Sequence, residues 1–132
     1  MVLTVTGRQS ERRYMIPVRY LQEGETLITT TYRPRRWWHN LQGGAQVSLS
    51  LAGRELTGRA DVSTNPEEVE HGLHALLRRM PRDARSYQVR LDRHGQLDTA
   101  SLKQAAQVNV LITILIGNHA EQQRADNSSE RT

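Results

Sequence analysis

The residues best suited to chemistry are Arg33, Arg35 and Arg36, set directly against Trp37 and Trp38 in the stretch RPRRWWHNLQGG. Those are both tryptophans of a chain that has no phenylalanine. Arginine forks hold carboxylate or phosphate through paired N–H groups, and indole faces pack on flat rings. A ligand that is anionic and planar suits the pair, and nucleic acid meets the same description. Arg8, Arg12 and Arg13, in and after the first polar loop, are placed to join them. The competing reading makes both tryptophans core residues with arginine stems laid over them. Adjacent helical residues point about 100° apart. That spacing predicts one indole in the core, Trp37, and the other, Trp38, on the wall of a cleft.

Catalytic groups carried by the protein itself do not emerge from the pattern. The chain has no cysteine, which removes disulfides, thiolate nucleophiles and cysteine metal sites together. No glycine-rich phosphate loop stands between a strand and a helix. Ser10 has no motif tying it to a histidine and an aspartate. Glu67-Glu68 and Glu23-Glu25 belong to a cap and a turn. His71 and His74 lie three apart on a predicted helix, near Glu67 and Glu70, a spacing that can seat a metal. Leu73, Leu76 and Leu77 already mark that helix's buried stripe, so the histidines read as a solvated face. No catalytic residue and no metal ligand is assigned.

The elements that must position the arginines and tryptophans are mostly strands. Val2 to Thr6 alternates apolar residues with threonine, and Tyr14 to Leu21 repeats the pattern around Pro17, so both read as strands joined by the loop GRQSER. Pro17 cannot donate to a ladder, which predicts an edge or a bulge. After Glu23-Gly24-Glu25, the β-branched run Thr26 to Thr31 reads as the next strand. Trp37 to Leu41 reads as a short helix ended at Gly43-Gly44. Val47, Leu49 and Leu51 then alternate with serine, Ala52-Gly53 makes a hairpin turn, and Leu56, Gly58, Ala60 and Val62 alternate on the return.

The second half is more helical. Asn65 reads as an N-cap, Pro66 as the first helical residue and Glu68 as the partner in a capping box. Val69, Leu73, Leu76, Leu77 and Met80 share one face, which predicts a helix packed on the barrel and ended by Pro81. Residues 82 to 98 are charged and turn-rich. Asp98 or Thr99 caps a short helix to about Ala106, and Val108 to Ile116 is a final strand. Its nearly unbroken apolarity predicts burial on both faces, often a subunit interface. The expected organisation is a single domain over residues 1–116 and a polar, disordered tail over 117–132.

Charge is uneven along the chain. Residues 1 to 64 hold nine Arg against five acids, and residues 65 to 132 hold nine basic against nine acidic residues, so all of the net +4 lies in the first half. Seventeen of the eighteen basic residues are Arg, which fits anionic partners and equally a coding bias. The positive residues cluster at one loop set rather than along a stripe, which argues against nucleic acid. The opening MVLTVTGRQSERR has no apolar signal-like core, and Val108 to Ile116 is too short to span a bilayer as a helix. A cytoplasmic protein with no membrane span is expected.

The order of features, TVTGRQS, then PVRYLQEGETL, then RRWWHNLQGGAQVSLSLAGRELTGRADV, resembles the deazaflavin-dependent nitroreductase family within the flavin-binding split-barrel superfamily. The likeness covers about residues 2 to 64. It implies a mainly β fold with α, a six- to seven-stranded split β-barrel with flanking helices, usually as a homodimer. Carried over by position, it implies cofactor contacts at Arg8 and Ser10 in the first loop and at Thr30 and Thr31 on the strand lining the ring. It adds Arg35 and Arg36 at the phosphate, and Trp38 and Asn40 at the helix start.

The implied cofactor is an 8-hydroxy-5-deazaflavin coenzyme, with FMN as the alternative. The implied activity is hydride transfer to small planar organic acceptors such as quinones or nitroaromatics. Two departures bear on the cofactor: Glu11 replaces a glycine after Ser10, and the loop between Thr31 and Trp37 is shortened. A non-catalytic flavin-, deazaflavin- or other ligand-binding protein on the same fold is the alternative function.

Overall fold

The computed structural model describes residues 1–117; the expected tail, apart from Gly117, lies outside the described residues. Among the described residues there are seven strands: β1 (Val2–Thr6), β2 (Arg13–Pro17), β3 (Leu21–Glu23), β4 (Thr26–Tyr32), β5 (Ala45–Leu51), β6 (Arg54–Ser63) and β7 (Asn109–Ile116). They form one antiparallel sheet in the order β2-β1-β5-β6-β7-β4-β3. Two α-helices, α1 (Pro66–Arg79) and α2 (Thr99–Val108), and two 3₁₀ helices, Trp37–Leu41 and Pro81–Tyr87, complete the fold.

The sequence reading of Tyr14 to Leu21 as one strand is corrected here. The chain breaks after Pro17 into β2 and β3, and these two successive strands occupy opposite edges of the sheet. Pro17 lacks an N–H, and it ends β2 on the edge, paired with Val2. Only Val18, Arg19 and Tyr20 join the edges. Four Cα steps reach at most about 14 Å, whereas the edges of a flat seven-stranded sheet would lie about 29 Å apart. The link therefore forces the sheet to curl until its edges approach, and the curled sheet is a split barrel.

Alternation decides what fills it. Leu3, Val5, Leu49, Val110, Ile112 and Ile114 are buried inside the curl, with Trp37, Trp38 and Leu41 closing one part of the same cluster. A second layer forms where Leu73, Leu76 and Leu77 of α1 pack with Val89, Leu102 and Ala105. Each of those three leucines is fully buried, a contribution of about 1.5–3 kcal/mol apiece. The two-sided apolarity of β7 is partly satisfied within the chain. Its even-numbered residues point into the barrel, and Leu111 on the other side lies so close to α1 that a Cβ at Gly72 would meet its Cδ1 at 2.5 Å.

Caps fix the helices. Asn65 Oδ1 accepts from the amides of Glu67 at 2.9 Å and Glu68 at 3.4 Å. The return half of the expected capping box runs through a third residue: Ser63 Oγ accepts from Asn65 N at 3.2 Å and donates to Glu68. Asp98 is the cap of α2, accepting from Ser101 N at 3.0 Å, with Arg90 paired to the same carboxylate at 3.3 Å. The backbone and side-chain bonds from Ser101, helped by Arg90, hold the Asp98 carboxyl below the ordinary carboxylate value. The hairpin turn has positive φ at Ala52 (50°) and Gly53 (78°), the type I′ geometry that matches strand twist. Among the described residues, no helix is long and apolar enough to cross a membrane.

Candidate functional site

The arginines that adjoin the tryptophans diverge. Arg33 is structural: its amide donates to the Val108 carbonyl at 2.7 Å, its carbonyl accepts from Trp38 Nε1 at 2.9 Å, and its guanidinium donates to the Thr64 carbonyl at 3.0 Å. It ties the end of β4 to the starts of β7 and α1. Arg35 and Arg36, both exposed, line two different cavities.

The first cavity, about 450 Å³, opens where the barrel is split. Ile16 to Arg19, from the end of β2 and the link, form one wall, and Thr30 to Tyr32 of β4 form another. Arg35, Ser86, Tyr87, Gln88 and Asn109 supply the remaining polar residues of the lining. Among the described residues, its charged lining residues are Arg19 and Arg35, and no acid lines it. Asp83 pairs with Arg19 Nε at 3.2 Å and anchors the 3₁₀ helix Pro81–Tyr87 to the link.

The floor of this cavity is an unfinished sheet edge. β3 pairs only with Thr26 to Ile28, whereas β7 pairs with β4 along its full length. The bonds that flank the β4–β7 ladder use the Glu25 carbonyl and the Arg33 amide. Successive residues of a strand direct their amides to alternate sides. Odd-numbered residues of β4 therefore face β7, and the main-chain groups of Thr30 and Tyr32 face the opening. The Tyr32 carbonyl is taken by Arg35 N at 3.0 Å, which folds the Arg35 backbone back over the same edge. On the outer side, Thr30 Oγ1 donates to the Tyr87 hydroxyl at 2.7 Å.

The second cavity, about 410 Å³, lies between the loop after β1 and the 3₁₀ helix Trp37–Leu41. Arg8, Ser10, Arg36, Trp37, His39 and Asn40 are on its lining. Asn40 is a clamp: its Oδ1 accepts from the Arg8 amide at 3.0 Å, and its Nδ2 donates to the Trp37 carbonyl at 3.0 Å. The Arg8 guanidinium donates to the Gln42 carbonyl and, at 3.4 Å, to that of Gly44. Ser10 Oγ accepts from Arg12 N at 3.2 Å. Glu11 sits at φ 56°, the left-handed region that favours glycine.

The eight residues assigned from the sequence thus separate. Thr30, Thr31 and Arg35 meet at the split, and Arg8, Ser10, Arg36 and Asn40 meet at the loop cavity. Trp38 joins neither group. The expected division between the two indoles does not hold: both are in the core cluster, and Trp38, expected on the cleft wall, is only 4% exposed, bonded to Arg33, and stacked on His39 at 3.9 Å. Trp37 lines the loop cavity, and its buried Nε1 has no hydrogen-bond partner among the described residues.

Sequence reasoning missed Tyr87 and Arg19. Tyr87 closes a 3₁₀ helix whose signals were present: Pro81 at its start, Asp83 in its first turn and Arg85 in its last. Arg19 was hidden inside a stretch read as continuous strand.

No family model matches the chain. No curated protein matches it in sequence either. Among solved structures, a Bacteroides thetaiotaomicron protein with a proposed role in 5-nitroimidazole antibiotic resistance matches with a TM-score of 0.55 at 15% identity. The match covers 87% of this chain and 70% of that one. At that identity the likeness is one of fold, and it agrees with the strand order: the chain is a split β-barrel with flanking helices.

Proposed function

We propose that the protein is a redox enzyme holding a flavin-type coenzyme at the split of the barrel and reducing small planar acceptors. The coenzyme is an 8-hydroxy-5-deazaflavin or, as the alternative, FMN. One observation carries this reading: a cavity of about 450 Å³ whose floor is the unpaired edge of β4 and whose rim carries Arg35. The volume is within the range of small-molecule sites. A flavin-type ring presents donors and acceptors along one side, which suits the Thr30 amide and carbonyl and the Tyr32 amide, unpaired among the described residues. Ile16, Val18 and Val108 offer apolar surface for its faces. Arg19 and Arg35 offer positive charge to an anionic tail.

When bound, such a coenzyme supplies the hydride chemistry, and the protein supplies orientation and a dry site. That division accounts for a cavity lined, among the described residues, by no carboxylate, histidine or cysteine. The structural relative's proposed role in nitroimidazole resistance supports nitroaromatics, beside quinones, as the acceptor class.

The test is to incubate the protein with each coenzyme, separate it by gel filtration, and read the absorbance spectrum with the eluted mass. Co-elution of one coenzyme at micromolar concentration, followed by reduction of a quinone, is the expected result. A mass of twice the 15.1 kDa chain would establish the homodimer. Arg35→Ala weakens binding by about 1–3 kcal/mol, more than Arg36→Ala does. Failure of both coenzymes to bind refutes the reading, and binding without acceptor reduction supports a non-catalytic carrier.

A further inference from the structure

We infer that Tyr87 donates the proton to the acceptor and that Thr30 positions it, an inference that rests on the split cavity being the coenzyme and acceptor site. Two-electron reduction of a quinone or nitro group needs a hydride and a proton. Among the described residues, no Asp, Glu, His, Lys or Cys lines the cavity. The donors left are hydroxyls, and among these a phenol yields its proton far more readily than the alcohols of Ser86, Thr30 or Thr31.

Two phenols line the cavity, Tyr32 and Tyr87, and their surroundings differ. Tyr32 is 52% exposed, and none of the hydrogen bonds described involves its hydroxyl. Tyr87 is half-buried, and its oxygen accepts from Thr30 Oγ1 at 2.7 Å. Thr30 is 6% exposed and is held in the β4–β7 ladder opposite Leu111. Either hydroxyl of this 2.7 Å pair can donate, and with Thr30 as the donor the phenolic hydrogen is left for another acceptor. A hydrogen bond to an oxygen strengthens as that oxygen becomes charged. Thr30 is therefore aimed at the atom where negative charge develops, and Arg19 and Arg35 line the same space.

For a quinone, the hydride leaves the reduced flavin-type coenzyme, which is thereby oxidised, and forms an O–H bond at one quinone oxygen. Both C=O π bonds break as the ring becomes aromatic, and the displaced electron pair ends on the other oxygen. The Tyr87 O–H bond breaks as its proton moves to that second oxygen and forms the second O–H bond. Water at the open mouth of the cavity then returns a proton to the phenolate. Tyr87 is the catalytic residue in this step, and Thr30 is a positioning residue.

The experiment uses the full chain, loaded with the reduced form of whichever of deazaflavin or FMN the wild type retains, with excess reduced coenzyme to sustain turnover and menadione as acceptor. Tyr87→Phe is expected to bind coenzyme as the wild type does and to lose roughly 100-fold in kcat. Its solvent deuterium isotope effect on kcat changes as well. Calorimetric titration of menadione into the oxidised loaded protein shows binding weakened by about threefold to tenfold. Tyr32→Phe loses less in kcat than Tyr87→Phe does, and Thr30→Val loses about tenfold in kcat with coenzyme affinity retained. Wild-type kcat and menadione affinity in Tyr87→Phe overturn the inference while the coenzyme reading stands, as does a larger loss in Tyr32→Phe. If Tyr87→Phe does not fold, unchanged kcat in Thr30→Val overturns it. A wild type that retains neither coenzyme overturns both.

Discussion

Replacing Asn40 by alanine separates two roles that the family resemblance merges. By position, Asn40 corresponds to a cofactor contact; by geometry, it fastens the loop after β1 to the 3₁₀ helix Trp37–Leu41. Its two bonds, to the Arg8 amide and the Trp37 carbonyl, are both 3.0 Å long. Each is worth about 1 kcal/mol net, so Asn40→Ala costs about 2 kcal/mol. For a domain of this size 1 kcal/mol moves Tm by about 4 °C, which predicts a fall of about 8 °C. Thermal melts followed by circular dichroism measure it. Coenzyme affinity, read by fluorescence quenching, changes by less than about twofold, or 0.4 kcal/mol. An unchanged melt with a tenfold weaker coenzyme complex would refute the clamp and restore the contact. Arg8→Ala provides the second arm, since its guanidinium holds the same loop to the Gln42 and Gly44 carbonyls. Once either tie is cut the other holds less, so the double variant is less destabilised than the sum.

The other predictions concern the frame. Ala52→Asn places a residue suited to positive φ in the first position of the type I′ turn, and raises stability in urea titration by about 0.5–1 kcal/mol. Gly58→Ala lowers it by about 1–3 kcal/mol, because the new Cβ would lie 2.7 Å from the Leu115 carbonyl oxygen. Asp98 has a depressed folded value, so its contribution is complete above about pH 4 and is lost as pH falls through the lower folded value. Asp98→Asn keeps a capping oxygen without the titration. The acid limb of its stability profile, measured by melts between about pH 2 and 5, is expected to flatten.

Much of the frame was legible because its signals are local. The N-caps Asn65 and Asp98, the turn at Ala52-Gly53 and the β-branched run of β4 each act within a few residues of themselves. Pro17 shows where locality ends. The alternation of Tyr14 to Leu21 continues through it, and nothing nearby says that β2 and β3 belong to opposite edges of a sheet. The site suffered more for the same reason. Arg33, Arg35 and Arg36 look like one cluster in the sequence, but Arg33 is drawn inward by Thr64 and Val108 while its neighbours turn to separate cavities. Both indoles enter the core cluster, and Trp38 is tied there by the Arg33 carbonyl five residues before it, a contact that helical periodicity does not predict. Tyr87 acquires its meaning from Thr30, 57 residues away.

The link Val18-Arg19-Tyr20 also acts as a gauge. It spans the opening of the barrel by covalent chain, so the width of the slot is set by a residue count and not by the softness of side-chain packing. One inserted residue adds at most about 3.5 Å of reach. Deleting one draws β2 toward β3 across the unpaired edge of β4, the surface offered to a ligand. Ligand size is therefore adjustable in steps of one residue at a place remote from the sheet's core, and relatives or designed variants with different slot widths are expected to differ first in the length of this tether.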